Sequence, residues 1–129
     1  FWLRSEVKPG EKRTPLLPTG AKTLIEQGHT VTVEKSPNRC VKDEEYAQVG
    51  CTLVESGSWI HSPKSAIILG LKELPELPKI LIHNHAYFGH SYKNQAGWEE
   101  NLQRFIDGAG MLWDLEYLTY ENGRRVAAF

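Results

Sequence analysis

Two short, unbroken apolar runs, Ala66 to Leu71 and Ile80 to Ile82, constrain the fold of this chain more than any other feature. A strand with one wet face alternates apolar and polar residues, so unbroken runs predict strands covered on both faces of a parallel sheet. Other segments read as companions to these two. Trp2-Leu-Arg4 predicts an opening strand, Thr30 to Glu34 alternates β-branched residues, Thr52-Leu-Val54 is a further strand, and Met111 to Tyr117 returns to the sheet. Helical spacing predicts helices from Pro18 or Thr19 to Gln27, stopped by Gly28, and from Lys42 to Gly50. A third helix is predicted over Gln95 to Asp107, with Trp98, Leu102, Phe105 and Ile106 inward. Strands and helices alternating over short links imply an α/β fold: a doubly wound, mainly parallel, Rossmann-like sheet.

With 129 residues, 40% of them hydrophobic, the chain has enough apolar content for one core. No apolar run approaches the roughly 20 residues that cross a bilayer, and no signal peptide is visible, so a membrane is not an expected partner. The 15 basic residues are interspersed with 16 acidic ones, which argues against nucleic acid. Cys40 and Cys51 lack metal-type spacing and suit a reduced, intracellular protein, although a bridge between them stays open. The chain opens on Phe1 and stops at Phe129 after an apolar run, which suggests a piece of a longer polypeptide.

Ligands of open parallel sheets bind beyond the carboxyl ends of the strands. That rule selects Lys72 and Glu73 after the strand Ala66 to Leu71, His83, His85, His90 and Lys93 after Ile80 to Ile82, and Arg13 after the first strand. Arg13, Lys72, Lys93, Arg124 and Arg125 would form a cationic pocket for a polyanionic substrate if these loops converge, with histidine among them moving protons near neutral pH. The competing reading is that each is an ordinary solvated surface residue. No HExxH, CxxC or ligand-spaced carboxylate supports a metal site at the histidines. Gly108-Ala-Gly110 begins a GxGxxG pattern but fails it, because Trp113 occupies the third position and the cluster ends a helix instead of a strand.

Four segments in order, Glu11-Lys-Arg-Thr-Pro-Leu-Leu-Pro18, Ile68-Leu-Gly-Leu-Lys-Glu-Leu-Pro75, Phe88-Gly-His-Ser-Tyr-Lys-Asn-Gln-Ala-Gly-Trp98 and Gly123-Arg-Arg-Val-Ala-Ala-Phe129, resemble fungal NAD-dependent, lysine-forming saccharopine dehydrogenases. The first segment is shared with alanine dehydrogenase and proton-translocating transhydrogenase; the third and fourth are more specific. Pro15 and Leu16 depart from the small residues of that pattern, and Asn94 from an acidic one. The resemblance implies that residues 1–129 supply most of the substrate-binding first domain of a two-domain enzyme, inactive without its NAD-binding domain. That enzyme would convert saccharopine, NAD and water into L-lysine, 2-oxoglutarate and NADH in the cytoplasm or, with a peroxisomal address, in peroxisomes.

Carried over residue by residue, the resemblance implies Lys72 as general base and His90 as a second acid-base group. It implies Arg13, Lys93, Gln95, Arg125 and Phe129 as saccharopine contacts, Arg124 as an NAD contact, and Glu73 and Glu116 as residues that tune the charge of the site. The chemistry suits those types. Proton transfers at nitrogen and at oxygen call for two titrating groups, and three substrate carboxylates suit the planar forks of arginine. A lysine base must be driven down from its ordinary value of roughly 10.4 by burial or neighbouring cations. The alternatives are a non-catalytic sensor or docking domain and an enzyme resembling alanine dehydrogenase.

Overall fold

The computed structural model describes residues 1–91 and 95–127. Its strands are β1 (Trp2–Leu3), β2 (Thr32–Glu34), β3 (Thr52–Val54), β4 (Ile67–Leu69), β5 (Asn84–Tyr87) and β6 (Met111–Asp114). Its α-helices are α1 (Pro18–Glu26), α2 (Asp43–Gln48) and α3 (Trp98–Gly108). The strands form one sheet in the order β3-β2-β1-β4-β5-β6, every neighbouring pair parallel. Order reverses at β1, which pairs with both β2 and β4, so the loops leaving β1 and β4 diverge and open a crevice there.

Strand periodicity divides the core into two layers. Leu3, Val33 and Leu69 point to the face covered by α1 and α2, packing with Ala21, Tyr46 and Leu24. Trp2, Ile68 and Tyr87 point to the other face, packing with Trp59, Leu81 and Phe105 of α3. Helices on both faces make this the doubly wound α/β sheet that the apolar runs predicted.

The structure corrects several boundaries. Ile80 to Ile82 is not a strand: Leu81 is buried and its N–H donates to Arg104 O, but Ile80 and Ile82 are exposed. The strand is the more polar Asn84–Tyr87, because His85 and Tyr87 pack toward Trp59 and Phe105. His85 therefore lies within the strand and His83 just before it, so neither occupies the loop after it. Ile106 is 71% exposed, not inward; the buried residues of α3 are Arg104 and Phe105. The third helix begins at Trp98 because Gln95 to Gly97 form a turn, with Trp98 N–H donating to Gln95 O. β6 ends at Asp114, whose carboxylate accepts the Glu116 N–H and turns Leu115–Tyr117 into a 3₁₀ turn.

Gly108 and Gly110 stop α3, and they also have a packing role. A Cβ on either would collide with the backbone of Leu81, and one on Gly110 also with that of His83. The approach of α3 to the segment before β5 thus requires glycine at both positions.

Candidate active site at the strand ends

β4 and β5 run side by side with Leu69 opposite Ala86, and Lys72 and His90 follow three residues beyond the end of each strand. Two candidate proton-carrying side chains thus emerge at the same end of adjacent strands. Their supports differ. The Lys72 peptide is gripped from β1: Glu6 accepts the N–H of Leu71 at 3.1 Å and that of Lys72 at 2.6 Å, and Arg4 donates to the Lys72 carbonyl. β4 ends at Leu69, and the apolar run beyond it stays bonded to the β5 segment, Gly70 N–H donating to Ala86 O and Phe88 N–H to Leu71 O. Arg4 and Glu6 pair at 3.4 Å with side chains only 1% and 7% exposed. Burial pulls the guanidinium below its ordinary value, opposed chiefly by the charge of Glu6. The guanidinium also lies 5.6 Å from the centre of the Tyr87 ring.

His90 is half-buried and takes a left-handed backbone (φ 53°), uncommon for a residue other than glycine. Its neighbour Ser91 is buried and accepts from Asn101 at 2.9 Å, while Asn101 also donates to the Tyr87 hydroxyl at 3.0 Å. Burial raises the Tyr87 phenol above its ordinary value, so it stays a neutral hydrogen-bonding group. His90 Nδ1 lies 3.6 Å from Glu116 Oε2, beyond hydrogen-bond range but close enough to attract an imidazolium. The other Glu116 oxygen is 3.7 Å from Arg125 Nη1. Arg125 arrives there because the chain folds back through a Thr119–Arg125 bridge, closed by Tyr120 N–H to Arg124 O at 2.8 Å.

A cleft on the His90 side is lined by Glu73, Leu74, Tyr87, His90, Gln95 and Asn101, and Glu73 is the chain neighbour of Lys72. Glu73 is exposed and lies 3.5 Å from Lys8. Arg13 is 54% exposed, and its fork is engaged by Glu11 through Nε at 2.9 Å and Nη2 at 2.8 Å. The Arg13 hydrogen bonds hold the Glu11 carboxyl down at about 2. Arg13 thus already carries a carboxylate where the sequence suggested it would receive one from substrate. Arg124 is exposed on the returning turn, and Lys93 and Phe129 lie outside the described residues. Among the described residues, no three histidine, cysteine, aspartate or glutamate side chains gather as metal ligands. His83 Nε2 instead contacts Ser62 Oγ at 3.0 Å, and His85 packs edge-on against Trp59 and Phe105.

Sequence reasoning missed Arg4, Glu6, Asn101 and Glu34. Glu34, fully buried at the end of β2, accepts from Trp2 Nε1, Ser5 N and Oγ, Gly57 N and Trp59 N at 2.8 to 3.2 Å. An acidic residue near the end of β2 is where a dinucleotide-binding sheet grips a ribose. Here both oxygens are committed inward, and the loop after β1, from Arg4 to Leu17, has no GxGxxG. These residues do not form a dinucleotide cradle. For the three charged residues, the signal available in the sequence was a charge at or just after the end of a strand, as in Leu3-Arg-Ser-Glu6 and Thr32-Val-Glu34.

Among solved structures, an L-alanine dehydrogenase superposes with a TM-score of 0.71 over 95% of this chain and 34% of its own, at 22% identity. A transhydrogenase from Sinorhizobium meliloti does so with a TM-score of 0.74 over 92% and 35%, at 17% identity. At those identities the likeness is one of fold. Saccharopine dehydrogenase [NAD(+), L-lysine-forming] of Emericella nidulans is 57% identical across all of this chain and 35% of its own length. Its counterpart in Schizosaccharomyces pombe is 53% identical over the same shares. The chain therefore spans about a third of the length of these curated relatives. Residues 2–129 match the family described as alanine dehydrogenase/PNT, N-terminal domain, and the chain belongs to that family.

Proposed function

We propose that this chain is the substrate-binding domain of an NAD-dependent, lysine-forming saccharopine dehydrogenase, completed by an NAD-binding domain elsewhere in the same polypeptide. The observation that carries this reading is the emergence of Lys72 and His90 beyond the ends of adjacent strands, beside a cleft shared by Glu73 and Gln95. The 57% identity to the Emericella enzyme supports the choice of substrate.

In this reading NAD, held on this side by Arg124, would supply the hydride acceptor for the carbon bearing the secondary amine of saccharopine. Lys72 takes the proton from the amine nitrogen. His90 moves protons at oxygen as water adds to the resulting imine, and the carbinolamine then collapses to L-lysine and 2-oxoglutarate. Arg13, Lys93 and Arg125 hold substrate carboxylates, with Gln95 and Phe129 completing the contacts. Substrate must take Glu11's place on the Arg13 fork, or draw Arg13 away from it. Glu73 and Glu116 set the charge around the two proton carriers, Glu116 through its position between His90 and Arg125. Arg124 reaches the NAD side. The proposed compartment is the cytoplasm, in keeping with two free cysteines; fractionation of cells carrying the full-length protein tests it against a peroxisomal location.

NADH formation by the full-length protein, given NAD with saccharopine or with alanine, tests the assignment. NADH with saccharopine alone is the expected result. NADH with alanine alone would make this an alanine dehydrogenase, and none with either from folded protein would leave a sensor or docking domain.

A further inference from the structure

The buried pair at the crevice does more than fill space. Glu6 accepts two successive peptide N–H groups, from Leu71 and Lys72, while Arg4 binds the carbonyl of the same Lys72. The Lys72 backbone is therefore held at both its N–H and its carbonyl, in the two peptide units that flank its Cα, by one ion pair. Glycine two residues before it leaves room for this contact: a Cβ on Gly70 would meet the Arg4 guanidinium, which would have to shift. Arg4 is anchored in turn by its own N–H to Leu69 O at 3.0 Å and by its position against Tyr87, whose hydroxyl shares Asn101 with Ser91, the neighbour of His90. A buried ion pair is weak evidence of stability, since apolar residues of the same volume often serve as well. Its use here lies in direction, because three hydrogen bonds leave one backbone orientation from which the Lys72 side chain can depart.

We infer that Arg4 and Glu6 are positioning residues for Lys72, clamping its peptide so that its amine is delivered into the cleft beside His90. The inference rests on the proposed role of Lys72 in proton transfer, and a misplacement of about 1 Å in such a group costs about a hundred-fold in rate.

The test uses the full-length protein carrying Glu6→Gln, close in shape to the original but able to offer only one accepting oxygen, and Gly70→Ala, which pushes on Arg4 from the other side. Competitive acetylation read by mass spectrometry compares Lys72 with exposed Lys22 as internal reference, whatever the substrate proves to be. The expected result is a several-fold rise in relative labelling of Lys72 in both variants, with circular dichroism unchanged. Saccharopine oxidation supplies the second reading. Glu6→Gln is expected to lower kcat about ten- to a hundred-fold with little change in KM, and to add nothing to Lys72→Met in the double variant. Unchanged labelling in folded variants would overturn the inference, as would losses that multiply in the double variant. Altered labelling in a protein whose wild type ignores saccharopine would leave the clamp standing and overturn the functional reading instead.

Discussion

The two ends of the proposed site are supported in opposite ways. Lys72 hangs from a peptide held by a nearly sealed ion pair rooted in β1 and β4, the centre of the sheet. His90 sits in a left-handed turn after β5, and its charged neighbour Glu116 is reached by an exposed arginine on a returning turn beyond edge strand β6. The first arrangement fixes a backbone, and the second sets a local charge. Both suit proton transfer: a flexible lysine needs its root held, whereas a short imidazole needs chiefly the right electrostatic neighbour.

The most severe way to break this comparison is to remove both proposed proton carriers. Lys72→Met and His90→Gln are each expected to cut saccharopine turnover by about a hundred-fold or more, and together to leave almost none, measured as initial rates of NADH formation. Losses confined to KM would assign both residues to binding. A second way acts on β5, which carries the chain toward His90. His85 is fully buried, neither ring nitrogen has a hydrogen-bond partner among the described residues, and burial, reinforced by Arg4, His83 and Arg104, lowers it to about 3. The unfolded chain binds this proton near 6.5 and the folded chain does not until about 3, so stability falls as pH drops through that window. Glu11, held at about 2 by Arg13, adds to this acid loss only as pH falls below about 4.5, and weakly because Arg13 is exposed. His85→Phe is therefore expected to flatten stability between pH 6.5 and 4.5 in denaturant titrations, windows taken from these two groups. A curve that falls as steeply as the wild type's would assign the acid loss elsewhere.

An intermediate effect is expected from Asn101→Ala, which removes the donor to Ser91 and strands the buried Tyr87 hydroxyl. The expected cost is about 1–3 kcal/mol of stability, with a smaller loss of turnover than Glu6→Gln causes. Equal losses of turnover would mean that His90 depends on backbone support as much as Lys72 does.

Much of this comparison was legible in the sequence, unevenly. The run Ala66 to Leu71 gave β4, and with it the place of Lys72, because a strand buried on both faces shows itself as continuous apolarity. The same rule failed at Ile80 to Ile82, where a connecting segment is pinned by Leu81 alone, and it passed over Asn84–Tyr87, whose histidine is buried by ring packing that hydropathy does not register. Arg4, Glu6 and Glu34 were illegible for a related reason. A charge at the end of a strand looks solvated until the partner that buries it, 23 to 68 residues away, is known.

The mildest perturbations concern the arginines, and they separate the two regions by what each arginine already holds. Arg13 and Arg125 are both more than half exposed, so their ion pairs with Glu11 and Glu116 contribute at most about 1 kcal/mol, and alanine at either position should leave the melting temperature nearly unchanged. Substrate binding should respond differently. Arg13 makes a bidentate pair that saccharopine, as the proposed substrate, would have to displace, so part of its attraction for a carboxylate is spent in the free protein, whereas Arg125 meets Glu116 only at 3.7 Å. Arg125→Ala is accordingly expected to raise KM for saccharopine by about ten-fold and Arg13→Ala by less, at unchanged kcat, with the Arg125 effect shrinking as salt increases. The reverse order would show that Glu11 leaves the Arg13 fork at little cost and that the β1 side of the crevice, beside the Lys72 clamp, binds the substrate more tightly.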